Sequence, residues 1–202
     1  MRFTVPDHRI AAVPAPGRAS ARIAACLLGL FSALVVDGRC LAQASDVTLT
    51  FSPTADTFVD AGKPTTNYGT GPDLRADGDT ERITYLRFDV GGLAGRSVMH
   101  ARLRLEVTDN NSVAGGSVHR ITNTAWNAAT VTYNTRPAID GPALHTLGAV
   151  TAGTVVEFNL DGAITTDGPC ALAIDSTSGD GVVFRSANAT SGQRPLLLLT
   201  VA

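Results

Sequence analysis

The sequence predicts an all-β domain built as a sandwich of two antiparallel sheets. From Val47 onward, β-branched and apolar residues alternate with polar ones in short runs, and clusters of Gly, Pro, Asn and Asp separate those runs. No stretch after Val47 carries a helical period. One-faced alternation belongs to antiparallel sheets, because parallel sheets covered by helices read as continuous apolar runs.

The elements follow in order. Runs at 47–52, 56–60 and 72–76 open the domain. The run 82–90 contains TYLRFDV, Thr84 to Val90, in which Leu86 and Phe88 point one way and Tyr85 and Arg87 the other. In the run 98–108, Met99, Ala101, Leu103, Leu105 and Val107 share the core parity, while His100, Arg102, Arg104 and Glu106 share the outer one. Runs at 117–122, 144–150 and 154–160 come next. The run 169–175 holds Cys170 in phase with Leu172 and Ile174, which makes it a core residue and not a nucleophile. After 181–186, the last run at 194–201 ends in PLLLLTVA, a continuous apolar segment expected to pair centrally and to be buried on both faces.

The chain has 202 residues, with 16 Lys+Arg against 18 Asp+Glu. Residues 1–44 read as a secretory signal: Arg18 and Arg22 precede the apolar run Ile23 to Val36, and Ala42 and Ala44 stand at small-x-small cleavage spacing. The run is shorter than the ~20 apolar residues of a spanning helix, so no membrane insertion is expected after cleavage. The product is expected outside the cytoplasm, extracellular or periplasmic, as one domain over 45–202. That domain carries 11 Lys+Arg against 16 Asp+Glu. Nucleic acid is thereby disfavoured as a partner, since phosphate binding needs a positive field. Cys170 is the single cysteine of the domain, so stability rests on packing and not on a disulfide.

The fragments TADTFVD, TNYG, YLRFDVGGL, ARLRLEV, AWNAATVTYNTRPA and GVVFRSANA, in this order over residues 51–202, resemble the DNRLRE-domain family. That family includes carbohydrate-binding modules for alginate and related acidic polysaccharides. The resemblance implies a jelly-roll sandwich and a non-catalytic module whose basic and aromatic residues bind glycan on one face. The matching positions are Arg75, Arg82, Arg87, Arg104, Arg136 and His119. One departure stands out: many relatives read Ser-Arg-Glu where this chain reads Ser186-Ala187-Asn188.

The chemistry agrees with an acidic glycan. A guanidinium offers planar paired donors matched to a carboxylate, and aromatic rings supply faces for the C–H surface of a sugar. Arg82, Arg87 and Arg104 are therefore expected to converge on one exposed sheet surface, with Tyr85 as the aromatic partner of Arg87. Long arginine stems that merely cover apolar surface are the alternative. Trp126 is either a sugar platform or an anchor pinning a long loop to the sandwich rim.

No cofactor is required by these motifs. A structural calcium is the one candidate, either at Asp77, Asp79 and Glu81, whose spacing is wrong for an EF-hand, or at Asp56 and Asp60. Asp77-Gly78 reads as a hairpin turn. Catalysis finds no G-x-S-x-G elbow and no H-E-x-x-H pair. Three functions are thus ordered: a secreted binder of acidic polysaccharide without catalysis, an adhesive or structural envelope protein with protein partners, and a small polysaccharide-cleaving enzyme.

Overall fold

Strand alternation is realised almost as written. A computed structural model describes residues 46–109 and 111–202; the expected signal segment lies outside the described residues. The eleven strands are β1 (Val47–Phe51), β2 (Ala55–Asp60), β3 (Asp73–Ala76), β4 (Arg82–Val90), β5 (Val98–Asp109), β6 (Gly116–Ile121), β7 (Ala143–Leu147), β8 (Val155–Asn159), β9 (Gly168–Asp175), β10 (Val182–Arg185) and β11 (Leu196–Val201). One sheet runs β1-β11-β5-β10-β3 with β8 also paired to β5; the other runs β2-β4-β9-β6-β7. All pairings are antiparallel. The chain crosses between the sheets at nearly every connection, as a jelly-roll sandwich requires. Among the described residues, no helix is long and apolar enough to cross a membrane.

The main core lies between the sheets. Leu86 and Phe88 of β4, Cys170, Leu172 and Ile174 of β9, and Leu103, Leu105 and Val107 of β5 meet there, with Phe158 and Phe184. Each fully buried Leu or Phe contributes roughly 1.5–3 kcal/mol relative to exposure. Burial pushes the Cys170 thiol above its ordinary range, which suits a core residue. A turn forms where Asp77-Gly78 was expected, but a longer one: Asp77 and Arg82 exchange backbone hydrogen bonds at 3.1 and 3.0 Å and close a loop over residues 78–81 that joins β3 to β4.

Two expectations about faces are corrected. The segment in β11 is buried on one face only: Leu197, Leu199 and Val201 are interior, whereas Leu196, Leu198 and Thr200 are half-buried. It does pair centrally, between β1 and β5. Its outer face has no covering layer, and Leu196 and Leu198 lie directly across from Arg104 and Arg102. Those arginines are bonded toward β8, to Asn159, Asp161 and Glu157, and leave this apolar strip half-buried.

The second correction concerns the other sheet, whose outer face is a second interior. Val59, Ile83, Tyr85, Ile121, Ala171 and Ala173 on that face pack with Trp126 and Val131. Trp126 and Val131 belong to the long β6–β7 connection, which folds back over the sheet. Tyr85 and Trp126 meet edge to face with centroids 6.0 Å apart. Trp126 is only 6 % exposed. It is the loop anchor of the two roles open to it.

Candidate functional site

The expected convergence of Arg82, Arg87 and Arg104 does not occur. Arg82 and Arg87 stand five residues apart in β4, and an odd separation puts side chains on opposite faces of a strand. Arg104 belongs to β5 in the other sheet. There its Nε and Nη2 donate to Glu157 Oε1 at 3.0 and 2.8 Å. Partly exposed pairs of this kind are worth about 0–1 kcal/mol.

Arg87 is a tether. Its Nη1 donates to the carbonyls of Trp126 (2.6 Å) and Thr124 (3.3 Å), and its guanidinium lies 5.6 Å from the Trp126 ring centroid. Tyr85 shares the face of Arg87, as its parity requires, but is 0 % exposed and offers no face to a sugar. Its hydroxyl donates to Pro137 O at 2.8 Å, and burial pushes the phenol well above its ordinary range. The aromatic role expected of Tyr85 is thus structural.

His119 braces the far end of the same loop. Its Nδ1 lies 3.0 Å from Gly141 O and its Nε2 3.1 Å from Asp175 Oδ1. Arg136 stacks 3.6 Å above the Tyr133 ring, donates to Tyr133 O at 2.6 Å, and stands 3.7 Å from Glu81. The Tyr133 hydroxyl donates to Glu81, a bond that holds the phenol proton and raises its pKa. A cavity of about 570 Å³ lies beside Tyr85 and Arg136, but Glu81 and Asp175 also line it. With two carboxylates and a cation already stacked and paired, it is poorly built for an anion.

Arg75 and Arg82 do come together. At the flank of the sandwich, β2 and β3 are edge strands of opposite sheets, and the β2–β3 connection closes over the gap. The result is a groove of about 350 Å³ lined by Phe58, Lys63, Tyr68, Asp73, Arg75 and Arg82, with Asp60 at its floor. Phe58 and Tyr68 are stacked at 4.2 Å and 22°. The Arg75 guanidinium lies 5.5 Å from the Phe58 centroid, within cation–π range.

Charge in the groove is unevenly spent. Arg82 is held by Asp60 (3.1 Å) and Asp77 (2.9 Å). Arg75 makes one longer contact, 3.3 Å to Asp73, and its buried Nε has no partner among the described residues. Lys63 is exposed and forms no ion pair among the described residues. Two cations are therefore available beside a stacked aromatic pair.

The closing loop is held rigidly. Asn67 Nδ2 donates to Ala128 O (2.7 Å) and Val131 O (2.6 Å), and its Oδ1 accepts from Gly69 N (3.1 Å). Gly69 lies so close to the β6–β7 loop that a Cβ there would sit 1.9 Å from Ala128 O. Only glycine fits that approach. The same loop that buries Tyr85 thus positions Tyr68 over Phe58.

Phe58, Lys63 and Tyr68 were absent from the residues expected at the site. Phe58 stands between Asp56 and Asp60 in TADTFVD, Tyr68 in TNYG, and Lys63 is the one lysine of the chain. Those signals were present, but nothing in the pattern brings them together.

Three of the five acids considered for calcium are engaged elsewhere. Asp77 binds Arg82 and the Asp79 amide, Glu81 binds Tyr133, and Asp60 binds Arg82 and the Gly62 amide. Among the described residues there is no group of three or more His, Cys, Asp or Glu side chains placed to hold a metal ion.

No curated protein matches the chain. The profile of carbohydrate-binding module family 96 matches residues 47–201, from the first strand through the last. This chain therefore belongs to carbohydrate-binding module family 96.

Proposed function

We propose that the protein is a secreted, non-catalytic module that binds an acidic polysaccharide of the alginate or pectin kind in the groove between β2 and β3. The observation that carries this reading is the placement of Lys63 and Arg75 around the stacked Phe58–Tyr68 pair. A guanidinium and an ammonium would take the sugar carboxylate through charge-assisted hydrogen bonds. The half-buried Tyr68 ring would pack against the C–H surface of the sugar, with Phe58 buried beneath it as its support. The resemblance of residues 51–202 to alginate-binding DNRLRE domains supports the same ligand class.

Absence of catalysis is supported by how the nearby acids are used. Glycoside hydrolysis by the usual route needs two carboxyls about 5–10 Å apart across a cleft, one serving as acid. Asp60, Asp73 and Asp77 are each bound to a guanidinium.

Affinity electrophoresis tests the proposal. The domain should be retarded in gels containing alginate or polygalacturonate, Lys63→Ala and Arg75→Ala should reduce the retardation, and added salt should weaken it. Equal mobility with and without polymer contradicts it. Arg82→Ala is the poorer probe, because it leaves two acids unpaired and disturbs the fold as well as the site.

A further inference from the structure

The face of β2 that carries Phe58 and Asp60 also carries Asp56, since the three alternate along the strand. Asp60 is neutralised by Arg82. Asp56 is 4 % exposed and forms no ion pair among the described residues. Its Oδ2 accepts from Ala187 N at 2.7 Å, with the Ser186 hydroxyl beside it, and burial raises its pKa.

Asp56 opens on a second cavity of about 300 Å³, lined also by Thr54, Gly69, Arg87, Asn127 and Asn188. Tyr68 lines the first groove and Gly69 the second, so one turn of chain walls both. Along β2, Asp56 and Asp60 are four residues apart, roughly 13 Å at about 3.3 Å per residue. A short oligosaccharide lying along this flank would reach both cavities.

The second cavity has different chemistry. Arg87, the cation in its lining, spends Nη1 on two carbonyls and Nε on Thr54 Oγ1, all neutral acceptors, so its charge stays in the cavity. Asn127 uses Oδ1 on the Ala129 amide and keeps Nδ2, while Asn188 uses Nδ2 on Gly69 O and keeps Oδ1. A donor amide, an acceptor amide and an uncompensated carboxylate suit sugar hydroxyls. The lining thus carries one cation and one anion, and a ligand carboxylate drawn to Arg87 would stand beside Asp56 in a partly desolvated place, where like charges repel most strongly.

We propose that the Asp56 cavity is a neighbouring subsite that takes an uncharged sugar unit, so that the preferred polysaccharide sets neutral sugars beside uronates instead of carrying a carboxylate on each unit. This rests on the groove being the acidic-glycan site.

Calorimetric titration tests it with two oligosaccharides of equal length, a homopolyuronate and one alternating uronate with neutral sugar. The wild-type domain should bind the alternating chain about tenfold more tightly. Asp56→Asn, which keeps an acceptor for Ala187 N, should narrow the gap by strengthening the homopolyuronate. Asn127→Ala, away from the core, should weaken the alternating chain alone. Equal affinity for the two chains, or a preference unchanged in both variants, overturns the second subsite. The acidic-glycan reading survives that result if Lys63→Ala and Arg75→Ala still weaken both ligands. Binding of neither chain overturns both.

Discussion

Arg87 grips Trp126 twice, through a 2.6 Å hydrogen bond to its carbonyl and by lying 5.6 Å from its ring centroid. An arginine on the outward parity of β4 is thereby committed to holding the β6–β7 loop over the sheet. Arg87→Ala should cost about 1.5–3 kcal/mol, the range for hydrogen bonds to charged groups. It should also shift Trp126 fluorescence toward that of an exposed indole at lower denaturant than wild type. Glycan retardation measured well below the unfolding transition should fall less than in Lys63→Ala and Arg75→Ala, because Arg87 holds the loop and lines the neighbouring cavity but not the groove.

Tyr85→Phe isolates one bond of the same roof. Removing the hydroxyl leaves Pro137 O without its donor, and an unmade bond at a buried site costs about 1–3 kcal/mol. Chemical denaturation should show a lower midpoint with an unchanged slope. Tyr85→Ala, which opens a cavity beneath Trp126, should cost about 3–5 kcal/mol.

Asn67→Ala tests whether the closing loop is pre-organised. The variant loses three hydrogen bonds that pin the loop between β2 and β3. Affinity for polyuronate should fall several-fold because Tyr68 must then be ordered on binding. The loss should appear in binding at temperatures where circular dichroism still shows the folded sheet. Unchanged affinity would mean that Tyr68 does not depend on this clamp.

Acid stability has contributions of opposite sign. Burial works against Asp161, yet the Ala101 amide and the Arg102 and His100 side chains hold its carboxyl at about 2, below its ordinary 3.8. A lowered folded pKa gives stability that is present above the unfolded value and is lost as pH falls from about 4 toward 2. Glu106, bound by Arg185 at 2.9 and 2.8 Å, is lowered for the same kind of reason and acts in the same direction. Asp56 acts oppositely, because its raised pKa makes the ionised form a cost that protonation relieves. Melting temperature should therefore decline between about pH 4 and 2. Asp161→Asn should flatten that decline, and Asp56→Asn should gain relative to wild type as pH rises above the Asp56 pKa.

Much of the fold was legible. All eleven runs became strands, and the parities of β4, β5 and β9 sorted core from outer residues because the two-residue strand period is strict. Parity states direction, however, and says nothing of what lies above a face. Tyr85 points outward as expected and is nonetheless interior, since the β6–β7 loop supplies a third layer with no periodic signal of its own. The opposite facing of Arg82 and Arg87 was readable from their odd separation. The grouping of Lys63, Tyr68 and Arg75 was not, because it depends on the contact of Gly69 with Ala128, far apart in sequence.

The location of the glycan is most directly measured by mapping amide chemical-shift changes as a uronate-containing oligosaccharide is titrated into the isotope-labelled domain. The largest changes are expected at Phe58, Lys63, Tyr68 and Arg75, with Arg104 and Glu157 on the opposite sheet unmoved. Changes centred on Arg104 and Glu157, or on Tyr133 and Arg136, with the flank between β2 and β3 silent, would contradict it.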